Sequence, residues 1–121
     1  MKFALLIYES AEDFDARTSK DQAAFWGAWR AYAEALKNAG AMAGGSGLEP
    51  PSTAVTARLR NGERIVQDGP YADTKEQLGG FFLIDMPDLD AALKWVARYP
   101  VGNGAVEVRP VLGGQLTPSA P

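Results

Sequence analysis

The densest polar stretch of the chain runs Asp68-Gly69-Pro70-Tyr71-Ala72-Asp73-Thr74-Lys75-Glu76-Gln77. Asp68 has two roles open to it. Buried in a cleft, its carboxyl would hold a proton more tightly and act as an acid or base. Opening a turn, it would accept hydrogen bonds from the backbone amides that follow, the commoner use of Asp before Gly-Pro. Lys75 and Glu76 fit anion binding and proton relay, but the residues alone favour a solvated ion pair worth about 0–1 kcal/mol. Tyr71 offers a pocket wall with a hydroxyl donor, or a core ring. Arg109 stands in an alternating strand pattern. An arginine there suits capture of a carboxylate or phosphate, or it pairs with Glu107 or with an acid of a partner subunit. Tyr8 closes the first apolar run, as a cleft or a core residue.

The chain has no Cys and no His. Disulfides, thiol nucleophiles, His-based triads and zinc sites built on those ligands are excluded, and a metal would need oxygen ligands alone. No metal and no cofactor are expected at the site. Gly44-Gly45-Ser46-Gly47 lacks the Lys-Ser or Lys-Thr pair of a phosphate loop, so no nucleotide site is expected. Twelve basic residues stand against 15 acidic ones, for a net charge of −3. The basic residues are scattered, Arg58 and Arg60 excepted, so nucleic acid is not an expected partner. No segment reaches the roughly 20 apolar residues of a membrane span. The N-terminus lacks a signal-peptide pattern, which makes the cytoplasm the expected location.

The elements that must position these residues follow from periodicity. Residues 3–8 form a continuous apolar run, as in a strand buried on both faces. Residues 9–17 are polar and read as a loop. Ser19 followed by Gln22 has the form of a capping box. It opens a helix whose Phe25, Trp29, Tyr32 and Leu36 make one apolar stripe and which stops at Gly40. Trp26 lies at the edge of that stripe, where it could meet another chain. Residues 41–48 form a Gly-rich strand. Strands at 53–59 and 64–67 flank Asn61-Gly62, the strongest short hairpin signal. Residues 80–86 form a second buried strand, with Gly79-Gly80 allowing a bulge. Asp88 caps a further helix with Leu89, Leu93 and Val96 as its stripe and Pro100 as its end. Residues 105–112 make the last strand, and a Gly-, Pro- and Ser-rich flexible tail occupies 113–121.

Two halves thus share a strand–helix–strand order around an inserted hairpin. This is an α+β chain of the split βαβ, or ferredoxin-like, kind. It predicts an antiparallel sheet with two helices on one face. The other face needs cover, which a second copy supplies, so a homodimer with two sheets face to face is expected.

Three segments carry a family resemblance: Leu5-Leu6-Ile7-Tyr8, Lys75-Glu76-Gln77-Leu78-Gly79-Gly80-Phe81-Phe82-Leu83-Ile84-Asp85, and Val106-Glu107-Val108-Arg109-Pro110-Val111. With Asp68-Gly69-Pro70-Tyr71 between them, they resemble the YCII-related proteins, in particular the branch named for its Asp-Gly-Pro-Phe (DGPF) motif. Tyr71 stands where that motif has Phe. The likeness covers residues 1–112, taken as one domain. It implies a ferredoxin-like fold pairing as a dimeric α+β barrel, with a cleft near the Asp-Gly-Pro turn. Relatives in the wider superfamily include small lyases, isomerases and monooxygenases that work without bound cofactors. The YCII-related proteins proper are proposed to use a His–Asp pair, of which only the Asp half, carried to Asp68, is present here.

Two functions follow, with a third beside them. One is a small cofactor-independent lyase or isomerase. In it Asp68 is the acid or base, and Tyr8, Tyr71, Lys75, Glu76 and Arg109 bind a small polar or anionic metabolite in the dimer cleft. The other is a ligand-binding or accessory regulatory protein without turnover, which the resemblance links to extracytoplasmic-function sigma factor systems. The missing His favours the second. The third is a dimeric module that binds a protein partner through the exposed edge of the hairpin.

Overall fold

The computed structural model describes residues 1–100 and 103–113. The chain forms β1 (Lys2–Glu9), α1 (Ala11–Ala16), α2 (Gln22–Asn38), β2 (Met42–Gly47), a 3-10 turn (Pro51–Thr53), β3 (Val55–Arg60), β4 (Glu63–Asp68), β5 (Gln77–Asp85), α3 (Leu89–Val96) and β6 (Ala105–Pro110). Strands β2, β5, β1 and β6 lie side by side in that order, each neighbouring pair antiparallel. The fold is mixed α+β, and this order is consistent with a ferredoxin-like chain. Strands β3 and β4 pair only with each other, as a hairpin inserted between the halves. Its turn is Asn61-Gly62, with φ of 51° and 82°, the positive values a two-residue primed turn requires.

Alternation along β1 organises the core. Phe3, Leu5, Ile7 and Glu9 are buried, and the residues between them are half-buried. Trp29, Tyr32 and Leu36 of α2 and Ala92 of α3 join the buried row of β1, together with Phe82 and Ile84 of β5, in one cluster. The rings of Trp29 and Tyr32 sit 5.4 and 5.6 Å from that of Phe82. Fully burying a large apolar side chain stabilises by about 1.5–3 kcal/mol, so this contact holds α2 to the sheet. Ala4, Leu6, Phe81 and Leu83 form the opposite row, lie outside the core and remain half-buried. The apolar run of β1 is therefore covered fully on one face, not on both. An unbroken apolar run does not by itself tell which faces are covered.

Residues 9–17 are not a loop. Glu9 ends β1, and α1 follows at once. Its capping box is formed by Ser10 and Asp13. Ser10 Oγ accepts from the Asp13 amide at 3.2 Å, and Asp13 Oδ2 accepts from the Ser10 amide at 3.1 Å. The expected Ser19–Gln22 box does not form. Helix α2 starts after Asp21, and Ser19 Oγ instead accepts from the Asp21 amide at 3.1 Å. In α3, Asp88 caps as expected, accepting from the Ala91 amide at 2.9 Å. Its stripe differs, however: Leu89 and Leu93 are exposed and Ala92 is buried, with Trp95, Val96 and Tyr99 packed beside it. A small residue at the contact lets the helix lie close to the sheet, which turns the neighbouring large side chains inward. The bulge expected at Gly79-Gly80 is present, opposite Ile7 and Tyr8. Of the expected tail, Gly113 has no regular structure and residues 114–121 lie outside the described residues.

Candidate functional site

The alternation that buries Ile7 also buries Glu9, which is 0% exposed. Its partner is Arg17, just beyond α1 and 8% exposed. Arg17 Nη2 donates to Glu9 Oε2 and to the Gly79 carbonyl, each at 3.0 Å, and Nη1 donates to the Leu48 carbonyl. The Trp26 indole N–H donates to the Arg17 carbonyl at 3.1 Å. The guanidinium also lies 4.7 Å from the Phe14 ring centre and 5.5 Å from that of Trp26. One side chain thus ties β1, the segment after β2, and β5 together, and its own backbone anchors α2. Gly79 makes room for it: a Cβ there would come within 2.4 Å of Glu9 Oε2.

Burial pushes the Glu9 carboxyl above the usual carboxylate range, against the opposing pull of the Arg17 charge and hydrogen bond. The Trp29 indole also favours the charged form, without a conventional hydrogen bond to it. Tyr99 packs edge-on to Trp29 and Tyr32, at 5.8 and 5.3 Å. Burial raises its hydroxyl pKa, and raises that of Tyr32 to about 12, so both rings stay neutral at physiological pH. The Tyr32 hydroxyl donates to the Trp95 carbonyl at 2.7 Å. Beside Arg17 opens a cavity of about 450 Å³ lined by Phe14, Trp26, Glu49 and Pro50 among others.

The residues expected to do chemistry are distributed elsewhere. Asp68 ends β4, is exposed and stands opposite Val55. The turn after it is fixed by other groups: the Gly69 amide donates to the Ala54 carbonyl at 2.8 Å, and Thr56 Oγ1 donates to the Gly69 carbonyl at 2.8 Å. Tyr71 is 74% exposed, with the Arg58 guanidinium 5.1 Å from its ring centre. A cavity of about 330 Å³ does lie by this turn, but of the motif only Pro70 lines it. Lys75 and Glu76 are exposed and line a different cavity, with Ser10, Ala11, Glu12 and Asn103. The Gln77 amide shapes their loop by donating to the carbonyls of Ala72 and Thr74, both at 2.8 Å. Tyr8 is half-buried and lines a cavity of about 170 Å³ with Val96, Tyr99 and Val106. Arg109 is exposed on β6 and donates through Nε to Glu107 Oε2 at 3.0 Å.

A family model of the YCII-related domain matches residues 1–113. The chain belongs to the YCII-related family. An uncharacterised protein of Rhizobium meliloti (strain 1021) is 38% identical over 121 residues, covering 92% of both chains. In this YCII-related chain, the charged residues that the fold buries among those described are Glu9, Asp13 and Arg17, none of them singled out in the sequence. Two signals for them were present. The odd-numbered row Phe3, Leu5, Ile7 runs on to Glu9, and Ser10 followed by Asp13 has capping-box form. Chemically, Glu9 is closed off from solvent, while Arg17, held by Glu9 and by the Gly79 and Leu48 carbonyls, forms part of the cavity wall. Among the described residues, no group of three or more His, Cys, Asp and Glu is placed to hold a metal, and no helix is long and apolar enough to cross a membrane.

Proposed function

We propose that this YCII-related chain is a homodimeric protein of the cytoplasm that binds a small polar or anionic metabolite without turning it over. The observation that carries this reading is the scatter of the chemical groups. Among the described residues, Asp68, Lys75, Tyr8 and Arg109 share none of the cavities described above, and the one fully buried carboxylate, Glu9, is closed off by Arg17. General acid–base work needs the carboxyl within about 2.6–3.2 Å of the proton it moves. The Asp-Gly-Pro-Tyr stretch supports the DGPF branch of the family. The half-open row Ala4, Leu6, Phe81 and Leu83 supports a second copy covering the sheet, in the manner of a dimeric α+β barrel. An accessory, regulatory role follows from binding without chemistry.

Untargeted mass spectrometry of a metabolite extract incubated with the wild type and with Asp68→Asn tests this. One compound should co-purify with both proteins and none should be consumed. Consumption by the wild type alone would restore the enzyme reading, with Asp68 as its acid or base. The native mass should be near twice the 12.9 kDa of the chain. A monomer at micromolar concentration would remove the dimer.

A further inference from the structure

A second cavity, of about 430 Å³, lies between α2 and the edge strand β2. Its walls are Trp26, Trp29 and Ala33 of α2, Met42 and residues 44–47 of β2, and Phe82 of β5. The aromatic walls are fixed in place. Trp26 is tied to the Arg17 carbonyl and meets the Phe25 ring edge-on at 5.1 Å, and Trp29 is wedged between Phe82 and Tyr99. Rings already held in their bound positions lose little further freedom on meeting a flat ligand.

The lining has one charge. Arg30 is exposed and forms no ion pair among the described residues. Arg17 and Arg109 are matched to carboxylates, whereas Arg58, Arg60, Arg64 and Arg98, like Arg30, form no ion pair among the described residues; what sets Arg30 apart is its place beside an apolar wall. A cation without a counter-ion beside an otherwise apolar wall complements an anion carried on an apolar body.

Gly47 adds to this. A Cβ there would meet nothing within 4 Å, and its φ lies outside the left-handed range. Neither packing nor backbone geometry demands glycine, and glycine weakens a strand. What its lack of a side chain provides is open space at the rim of the cavity.

We propose that this cavity is the metabolite site and that it takes a flat, ring-bearing monocarboxylate, its ring against the wall that Trp26 and Trp29 form and its carboxylate on Arg30. The proposal rests on the ligand-binding reading above. The volume falls at the small end of the usual range for ligand sites, about 300–1,000 Å³, which suits one or two fused rings.

Isothermal titration calorimetry of the full chain at low salt tests it, with 1-naphthoate as the probe and neutral 1-naphthylmethanol as its match. The wild type should bind naphthoate saturably below about 1 mM, within the affinity range open to a ligand of that size. Arg30→Gln should weaken naphthoate about tenfold and leave naphthylmethanol unchanged, since only the acid makes the charge-assisted contact. Gly47→Ile should abolish both, with an unchanged melting temperature as the fold control. Absence of saturable binding, or equal loss of both probes in Arg30→Gln, would overturn the proposal. So would a change of native mass in Gly47→Ile, which would make the cavity a subunit contact. If the probes fail while a compound from the extract still co-purifies with Arg30→Gln, the site is elsewhere and the ligand-binding reading stands.

Discussion

Replacing Arg17 with Met separates the buried ion pair from ordinary packing. Met keeps an apolar stem of similar length against Phe14 and Trp26 but removes the donors to Glu9, Gly79 and Leu48. It leaves a carboxylate that is 0% exposed without its cation. Three bonds from a charged donor at about 1.5–3 kcal/mol each overstate the loss, because the variant is also spared the burial of a guanidinium. Breaking one side of a buried pair destabilises by about 3–5 kcal/mol, and ~4 kcal/mol is the expected value here. For a chain of this length, 1 kcal/mol moves Tm by about 3–5 °C, so Arg17→Met should melt about 12–20 °C below the wild type. Calorimetry together with urea unfolding reads this. The double variant Glu9→Gln/Arg17→Met should recover about half the loss, since no lone charge remains. A single variant within about 1 kcal/mol of the wild type would refute the argument that the pair holds the sheet end together.

The sign of the pH dependence is fixed by the same geometry. Burial raises the Glu9 pKa above its ordinary 4.5. The folded chain then binds that proton more tightly than the unfolded one, so the Glu9 contribution to stability grows as pH falls through the folded pKa towards 4.5 and weakens as pH rises. This is opposite to an ordinary salt-bridged carboxylate. Glu9→Gln should flatten that part of the profile.

Two further outcomes are expected. Gly79→Ala forces a Cβ to within 2.4 Å of Glu9 Oε2 and 2.6 Å of its Cδ. Overpacking of this kind should cost about 1–3 kcal/mol in urea unfolding, and a cost near zero would show that the pair can shift aside. Asp88→Ala removes the cap of α3 and should lower stability by about 1 kcal/mol without affecting naphthoate binding. A change in that binding would mean that α3 supports the cavity.

Much of the fold was legible because period and punctuation are local. The stripe of α2, its stop at Gly40, the Asn61-Gly62 turn, the Asp88 cap and the bulge at Gly79 each depend on residues within a few positions of one another. Of the expected α3 stripe Val96 packs against the core, but Leu89 and Leu93 do not, because they satisfy helical spacing as well as the face that carries Ala92 does. Which of two adjacent faces meets the sheet is decided by how closely the helix can approach, and that is a property of the pair.

Sequence alone determined the order of the strands and of the two longer helices, α1 excepted, the lack of Cys and His chemistry and the place of the hairpin, since composition and periodicity need no partner. Only the tertiary structure decided where the charges go. Glu9 and Arg17 are eight positions apart in a stretch that reads as polar loop, yet the period of β1 turns one inward and α1 carries the other back over it. The Leu48 and Gly79 carbonyls that complete the cluster come from segments more than 30 residues away. Conversely, Asp68, Tyr71, Lys75 and Glu76 are close in sequence and yet do not meet around one cavity. Residues after Asp68 run out along the chain as a turn and loop, and proximity along a chain becomes proximity at a site only where the backbone folds back upon itself.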